Sequence, residues 1–175
     1  MHRIKDKMFL IFLLIFAILL AADQYTKYLA VAHLKGSDSI KLIDGVLELH
    51  YVTNTGAAWS LLEGKKYILL IMGVVILAAL LFCLLKIPDH KKYNILYYLA
   101  GATAAGAVGN MIDRVHYGYV VDFIYFSLID FPVFNVADIC ITVSVIILGV
   151  VILFVYKEDD FAFLDFRRKK HKELE

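Results

Sequence analysis

The sequence predicts an all-α membrane protein, four transmembrane helices with a small β-hairpin region outside the bilayer. Three observations carry this. Of 175 residues 61% are hydrophobic and the mean hydropathy is +0.73, whereas soluble domains stand nearer half apolar. Four apolar runs each approach the roughly 20 residues that cross a hydrocarbon core. Lys and Arg gather in three clusters, HRIK at the start, KIPDHKK in the middle and RRKKHK at the end. An even number of spans puts all three on one side, and the positive-inside rule makes that side the cytoplasm. A net charge of +1 gives no reason to expect a nucleic-acid partner. The chain reads as one domain, 1–175.

The first span runs from about 8 to 30 and holds Asp23 and Lys27 near its far end. Its basic start, apolar centre and LLAAD would also suit a cleaved signal peptide, whose removal would discard both charged residues. Next, IKLIDGVLELHYV (40–52) alternates apolar and polar residues around Asp44-Gly45, a hairpin signal. The hairpin is amphipathic and suits a membrane surface. TNTGAAWSLLEG follows, with Trp59 suited to the headgroup level. The second span, 67–85, is apolar throughout. The third, 93–112, carries Gly101, Ala105 and Gly109 at a spacing of four, a helix-packing seam. Residues 113–135 are rich in Tyr and Phe and read as an interfacial segment. The fourth span covers 136–156, and 157–175 reads as a cytoplasmic tail, helical or disordered. Cys83 and Cys140 lie inside apolar runs without metal-ligand spacing, so both read as small buried hydrophobes, with neither disulfide nor metal.

The unusual polar residues collect at the outward ends of the spans. Asp23 and Lys27 are four apart, on one helix face. Asn54 and Gly56 follow in the outer loop. Asn110, Asp113 and Arg114 share a face at the exit of the third span, and Asn135 and Asp138 open the fourth. Some have plain structural readings: an intrahelical ion pair for Asp23 and Lys27, mutual neutralisation for Asp113 and Arg114, a helix N-cap for Asn135. Asp138 in an apolar run is harder to explain, because a buried charge costs several kcal/mol. Two carboxylates brought together in a low-dielectric place share one proton. The charged one takes a proton from water, and the protonated one polarises a carbonyl and serves the leaving amine. No GxSxG, HExxH or GxxxxGK[ST] motif supplies a rival apparatus. Spacing alone does not choose the pair: Asp23, Asp113, Asp122 and Asp138 all reach the outer level. A small transporter or ion-conducting bundle is the alternative, since intramembrane Asp and Lys mark ion paths. Against it, the charges occupy one level rather than a trail through the bilayer.

DQYTK (23–27), NTGAAWS (54–60), GNMIDR (109–114), VVDF (120–123) and FNVAD (134–138) together resemble the lipoprotein signal peptidase family, signal peptidase II, over nearly the whole chain. Each motif alone is weak; five in order with this topology are specific. The resemblance implies a membrane aspartic endopeptidase without cofactor or metal. It implies removal of signal peptides from diacylglyceryl-modified prolipoproteins, with the cut before the lipobox cysteine. It further implies a multi-pass protein of the bacterial cytoplasmic membrane, both termini cytoplasmic, the site at the extracytoplasmic face, and inhibition by globomycin. Membrane lipids are expected partners, and a monomer suffices. By position Asp122 and Asp138 match the catalytic pair. Asp23, Lys27, Asn54, Gly56, Asn110, Asp113, Arg114, Asn135 and Ala137 match residues around it. Ala105 and Trp59 depart from the family's usual Gly and Phe. Asp113 competes for a place in the pair. Its neighbour Arg114 is expected to hold it ionised, while Asp122 has no adjacent base.

Overall fold

The computed structural model describes residues 3–56 and 61–164. Trp59 and the RRKKHK run of the tail lie outside the described residues. Among these, four helices are long and apolar enough to cross a membrane: α1 (Arg3–His33), α2 (Lys66–Lys86), α3 (Asn94–His116) and α4 (Val136–Phe154). A three-stranded antiparallel sheet, β1 (Ile40–Ile43), β2 (Leu47–Asn54) and β3 (Val120–Tyr125), stands at one end of the bundle. The spans sit where hydropathy puts them. The helices α1 and α3 run on by a turn or so into polar residues. The 31 residues of α1 make a rod about 46 Å long, against a hydrocarbon core of about 30 Å. Asp23 and Lys27 thus ride in the last third of that rod.

The centre of the bundle is α3, packed against α1, α4 and α2. It is the least apolar span by hydropathy and the most buried, because its small residues admit neighbouring backbones. A Cβ on Gly101 would stand 3.0 Å from the Phe12 carbonyl oxygen of α1, and one on Gly109 would strike the Asp23 carboxylate. The predicted seam is therefore the α1 contact. A second close approach was not evident from spacing: a Cβ on Gly106 would collide with the Ala137 carbonyl of α4. That oxygen belongs to rigid helix backbone. Gly106→Ala is expected to push α4 away and destabilise the bundle by about 1–3 kcal/mol, read as a lower thermal unfolding midpoint in detergent.

The hairpin forms around Asp44-Gly45 as the alternation predicts, pairing Ile40 with Leu49 and Lys41 with Glu48, with Gly45 at φ +68°. The segment 113–135 differs from its reading as merely interfacial. Val120–Tyr125 is a strand that pairs Val52 with Asp122 and Asn54 with Val120. Apart from Asp122 its residues are β-branched or aromatic, but Val120 to Phe123 are all buried, so no polar alternation betrays the strand. Ile124 and Phe134 exchange backbone bonds of 2.8 and 3.0 Å, which closes the intervening loop and delivers Asn135 beside Asp122.

At the opposite end α4 stops at Phe154, and Val155 and Tyr156 bond back to the Val151 carbonyl. The start of the tail is neither a regular helix nor free. Glu158–Leu164 form a 3₁₀ turn in which Asp160 pairs with Lys92 at 2.5 Å. The Tyr93 hydroxyl donates to the Asp160 carbonyl at 3.0 Å. Cys83 and Cys140 are unbridged but only half-buried, because each lies on a helix flank rather than in a core cluster.

Candidate active site

Asp122 reaches the site from β3 and Asp138 from the first turn of α4; both line one cavity of about 1070 Å³. Asn135 joins them. Its side-chain nitrogen donates to Asp122 Oδ1 at 2.6 Å, and its backbone nitrogen donates to Asp138 Oδ2 at 3.2 Å. The N-cap reading of Asn135 also holds. Its Oδ1 accepts from the Asp138 backbone N–H at 3.0 Å, completing a capping box. One fully buried residue therefore starts the helix and touches both carboxylates. Asn54 donates to Asp122 Oδ2 at 2.9 Å, and Asn110 donates to Asp138 Oδ1 at 2.8 Å.

Burial raises the Asp122 carboxyl to about 7, with a further push from the Asp138 charge, against the donors of Asn54 and Asn135. Desolvation disfavours the charged form of a carboxyl, and a like charge nearby adds to that.

Beneath the cavity lies a buried ion cluster. Lys27, 3% exposed, pairs with Asp23 at 3.0 Å and with Asp113 at 3.1 Å. Its third N–H goes to Asn110 Oδ1 at 2.9 Å. Asp23 Oδ1 accepts from the Ala137 backbone N–H at 2.9 Å, satisfying a free amide at the start of α4 from another helix. Asp113 Oδ2 accepts from the Val121 N–H at 3.0 Å and so grips β3 one residue before Asp122. Here the structure corrects the sequence reading: the partner of Asp113 is Lys27, not Arg114. At i+1 on a helix Arg114 points some 100° away from Asp113, and it turns into the cavity. Its guanidinium donates to the Asn110 carbonyl at 3.2 Å and to the Gly56 carbonyl at 2.7 Å. Its Nε is buried and has no hydrogen-bond partner among the described residues. Gly56 in turn donates its N–H to Asn54 Oδ1 at 2.9 Å.

The residues singled out by sequence thus meet in one connected region. They separate into those lining the cavity (Asn54, Asn110, Arg114, Asp122 and Asp138) and those that brace them. Asp113 and Asp23 are braces, each 1% exposed and absent from the cavity wall. Sequence reasoning missed Gln24, whose amide nitrogen reaches Asp23 at 3.1 Å, the Gly109 carbonyl at 3.3 Å and Asp113 at 3.2 Å. Its position beside Asp23 in DQYTK was the available signal. It also missed Glu63, a further acid on the cavity wall, which accepts from the Thr55 hydroxyl at 3.4 Å. Among the described residues, no cluster of His, Cys, Asp and Glu could hold a metal ion.

Residues 15–154 match the family model described as signal peptidase (SPase) II. The chain is 39% identical over 152 residues to a lipoprotein signal peptidase of Enterococcus faecalis, covering 86% of this chain and 89% of the relative. It is 42% identical over 143 residues to one of Caldanaerobacter subterraneus, covering 81% and 95%. Among solved structures it is similar to a bacterial membrane enzyme determined by the in meso method at 2.3 Å, with TM-score 0.73 and 35% identity over 84% of this chain and 92% of that one. A second, at 1.9 Å, gives TM-score 0.72 and 35% identity over 83% and 94%.

Proposed function

The chain belongs to the signal peptidase II family, a multi-pass membrane protease that removes signal peptides from lipoproteins, and from that premise we propose that it is an aspartic endopeptidase. Asp122 and Asp138 are its reacting pair. The observation that carries this is two carboxylates from different elements on one cavity wall, joined through Asn135. Asp138 takes a proton from a water held between the two; Asp122 gives its proton to the scissile carbonyl oxygen. The tetrahedral diol then collapses: Asp138 passes the proton it took from water to the leaving amine as the C–N bond breaks, and Asp122 recovers its proton from a diol hydroxyl, which restores the pair. Arg114 and the three asparagines hold the peptide backbone and the pair. The apolar wall of the cavity, Ile139, Ile141 and Val143 on α4, suits a signal helix lying in the bilayer, with acyl chains in the lipid.

On this reading the substrate is a prolipoprotein whose lipobox cysteine carries diacylglyceryl, and the cut falls before that cysteine. The site faces the extracytoplasmic side of a bacterial cytoplasmic membrane, with both termini inside. A monomer suffices, and a globomycin-type lipopeptide would occupy the pair. The deciding experiment gives purified protein in detergent a diacylglyceryl-modified prolipoprotein and the unmodified form. Cleavage of the first alone is expected; cleavage of neither, or of both alike, sinks the proposal.

The raised Asp122 carboxyl predicts a pH profile. The pair works with one proton, so kcat/KM should hold up to about pH 7 and decline above it as Asp122 ionises. A rate still rising through about pH 9, two units past that point, would contradict this.

A further inference from the structure

Every amide that meets the two carboxylates has its orientation dictated by a group that can only donate. Asn54 Oδ1 faces the Gly56 N–H, Asn110 Oδ1 faces the Lys27 ammonium, and Asn135 Oδ1 faces the Asp138 N–H. A flipped amide would set N–H against N–H in each case. The nitrogens of Asn54 and Asn135 therefore point at Asp122, and the nitrogen of Asn110 at Asp138. With the Asn135 backbone N–H, each of the four carboxylate oxygens receives one donor, and none of these neighbours offers an acceptor.

We propose that Asn54, Asn110 and Asn135 form a donor-only ring that confines the pair's single proton to the cavity side, with Lys27 as the positioning residue that makes Asp138 the anion. A proton on either carboxyl finds an acceptor only in the other carboxylate, a water or the substrate carbonyl. The two acids are told apart by what stands behind each donor. Behind Asn110 is the Lys27 ammonium, whose three N–H groups are all spent on Asp23, Asp113 and Asn110; it polarises the amide toward Asp138. Behind Asn54 is a neutral backbone amide.

The charged groups around the pair fit this allocation. From α1 come Asp23 and Lys27, from α3 Asp113 and Arg114, and from the loop after β2 Glu63. Asp23 and Asp113 are both paired with Lys27, and Arg114 has no carboxylate partner within ion-pair distance among the described residues. The proposal rests on Asp122 and Asp138 being the reacting pair.

The test is the pH profile of kcat/KM in two uncharged, near-isosteric variants. A hydrogen-bond donor favours the anion it touches. Asn110→Leu should move the acid limb up by about one pH unit, because Asp138 then takes a proton too early. Asn54→Leu should instead move the alkaline limb up, because Asp122 holds its proton longer. The charge-balanced double variant Lys27→Gln/Asp113→Asn should move the acid limb in the same direction as Asn110→Leu but by less, since the ammonium behind Asn110 is gone while the Asn135 side-chain nitrogen still faces Asn110 Oδ1 at 3.2 Å. A purely structural role for these residues lowers the amount of folded enzyme and leaves both limbs in place; unmoved limbs in folded variants overturn the proposal. Infrared spectroscopy of the wild type at about pH 6, below the Asp122 transition, needs no new fold. One protonated-carboxyl stretch is expected, absent from Asp122→Asn, and its survival there also overturns the proposal. The two failures are distinguishable. If Asp122→Asn still turns over, the pair is wrong; if it is dead but the limbs stay put, only the ring is wrong.

Discussion

Asp122→Asn and Asp138→Asn should each insert and fold yet leave a lipidated prolipoprotein uncut, a loss on the order of 10³- to 10⁴-fold or more. Both substitutions keep the shape of the side chain. A carboxamide at position 122 keeps one oxygen for the donor of Asn54 or Asn135 and turns its NH2 toward the other; one at position 138 keeps an oxygen for the box at the start of α4 and turns its NH2 toward Asn110, so each fold bears one mismatched contact. What each removes, on the proposed mechanism, is the single proton traded across the cavity. Stability should behave in the opposite sense. Asp122 holds its proton to about pH 7 in the folded chain, above the usual carboxylate value near 4. Between those values the folded state binds more protons than the unfolded one, so the contribution of this group to stability is lost as pH rises toward 7. Asp122→Asn lacks that loss. Its unfolding midpoint relative to wild type should rise from about pH 5 to about pH 8, and a midpoint that falls instead would show that the carboxyl is not held protonated.

Lys27→Met carries the largest expected effect on stability. The side chain is 3% exposed and its partners Asp23 and Asp113 are each 1% exposed. Methionine strands two buried carboxylates beside one another. Removing one member of a buried pair typically destabilises by about 3–5 kcal/mol, and here the cation serves two anions and an amide at once. The expected result is little folded protein in detergent, with partial recovery in the triple variant Asp23→Asn/Lys27→Met/Asp113→Asn, which leaves no stranded charge. A contrast is available in the same molecule. Lys41 and Asp44 stand 2.7 Å apart on the exposed hairpin, and Lys41→Met should leave the unfolding midpoint unmoved.

Hydropathy alone located all four helices, because a bilayer demands long apolar runs and little else can satisfy them. The Asp44-Gly45 hairpin was equally legible from its alternation and its turn. The third strand was not. Alternation marks a sheet with one wet face, and β3 is covered on both. The positions gathered at the site were legible through their level in the spans and their motifs, but spacing could not sort lining residues from braces. Asp113 shows why: adjacency in sequence suggested Arg114 as its partner, whereas the cation it meets comes from α1, at the far end of the chain. Gly106 was hidden for the same reason, since the helix that presses on it is named nowhere in its own stretch of sequence.

Asn135 has a consequence for how this protein can change over generations. The residue that fastens the start of α4 also holds both carboxylates of the proposed pair, so on that proposal drift at that position is penalised twice. Aspartate, serine or threonine would preserve the fastening and withhold the N–H from Asp122; an apolar residue would forfeit both. An antibiotic that grips this amide would therefore confront a target with almost no silent escape, because each exchange that evades the drug also dulls the blade or loosens its handle.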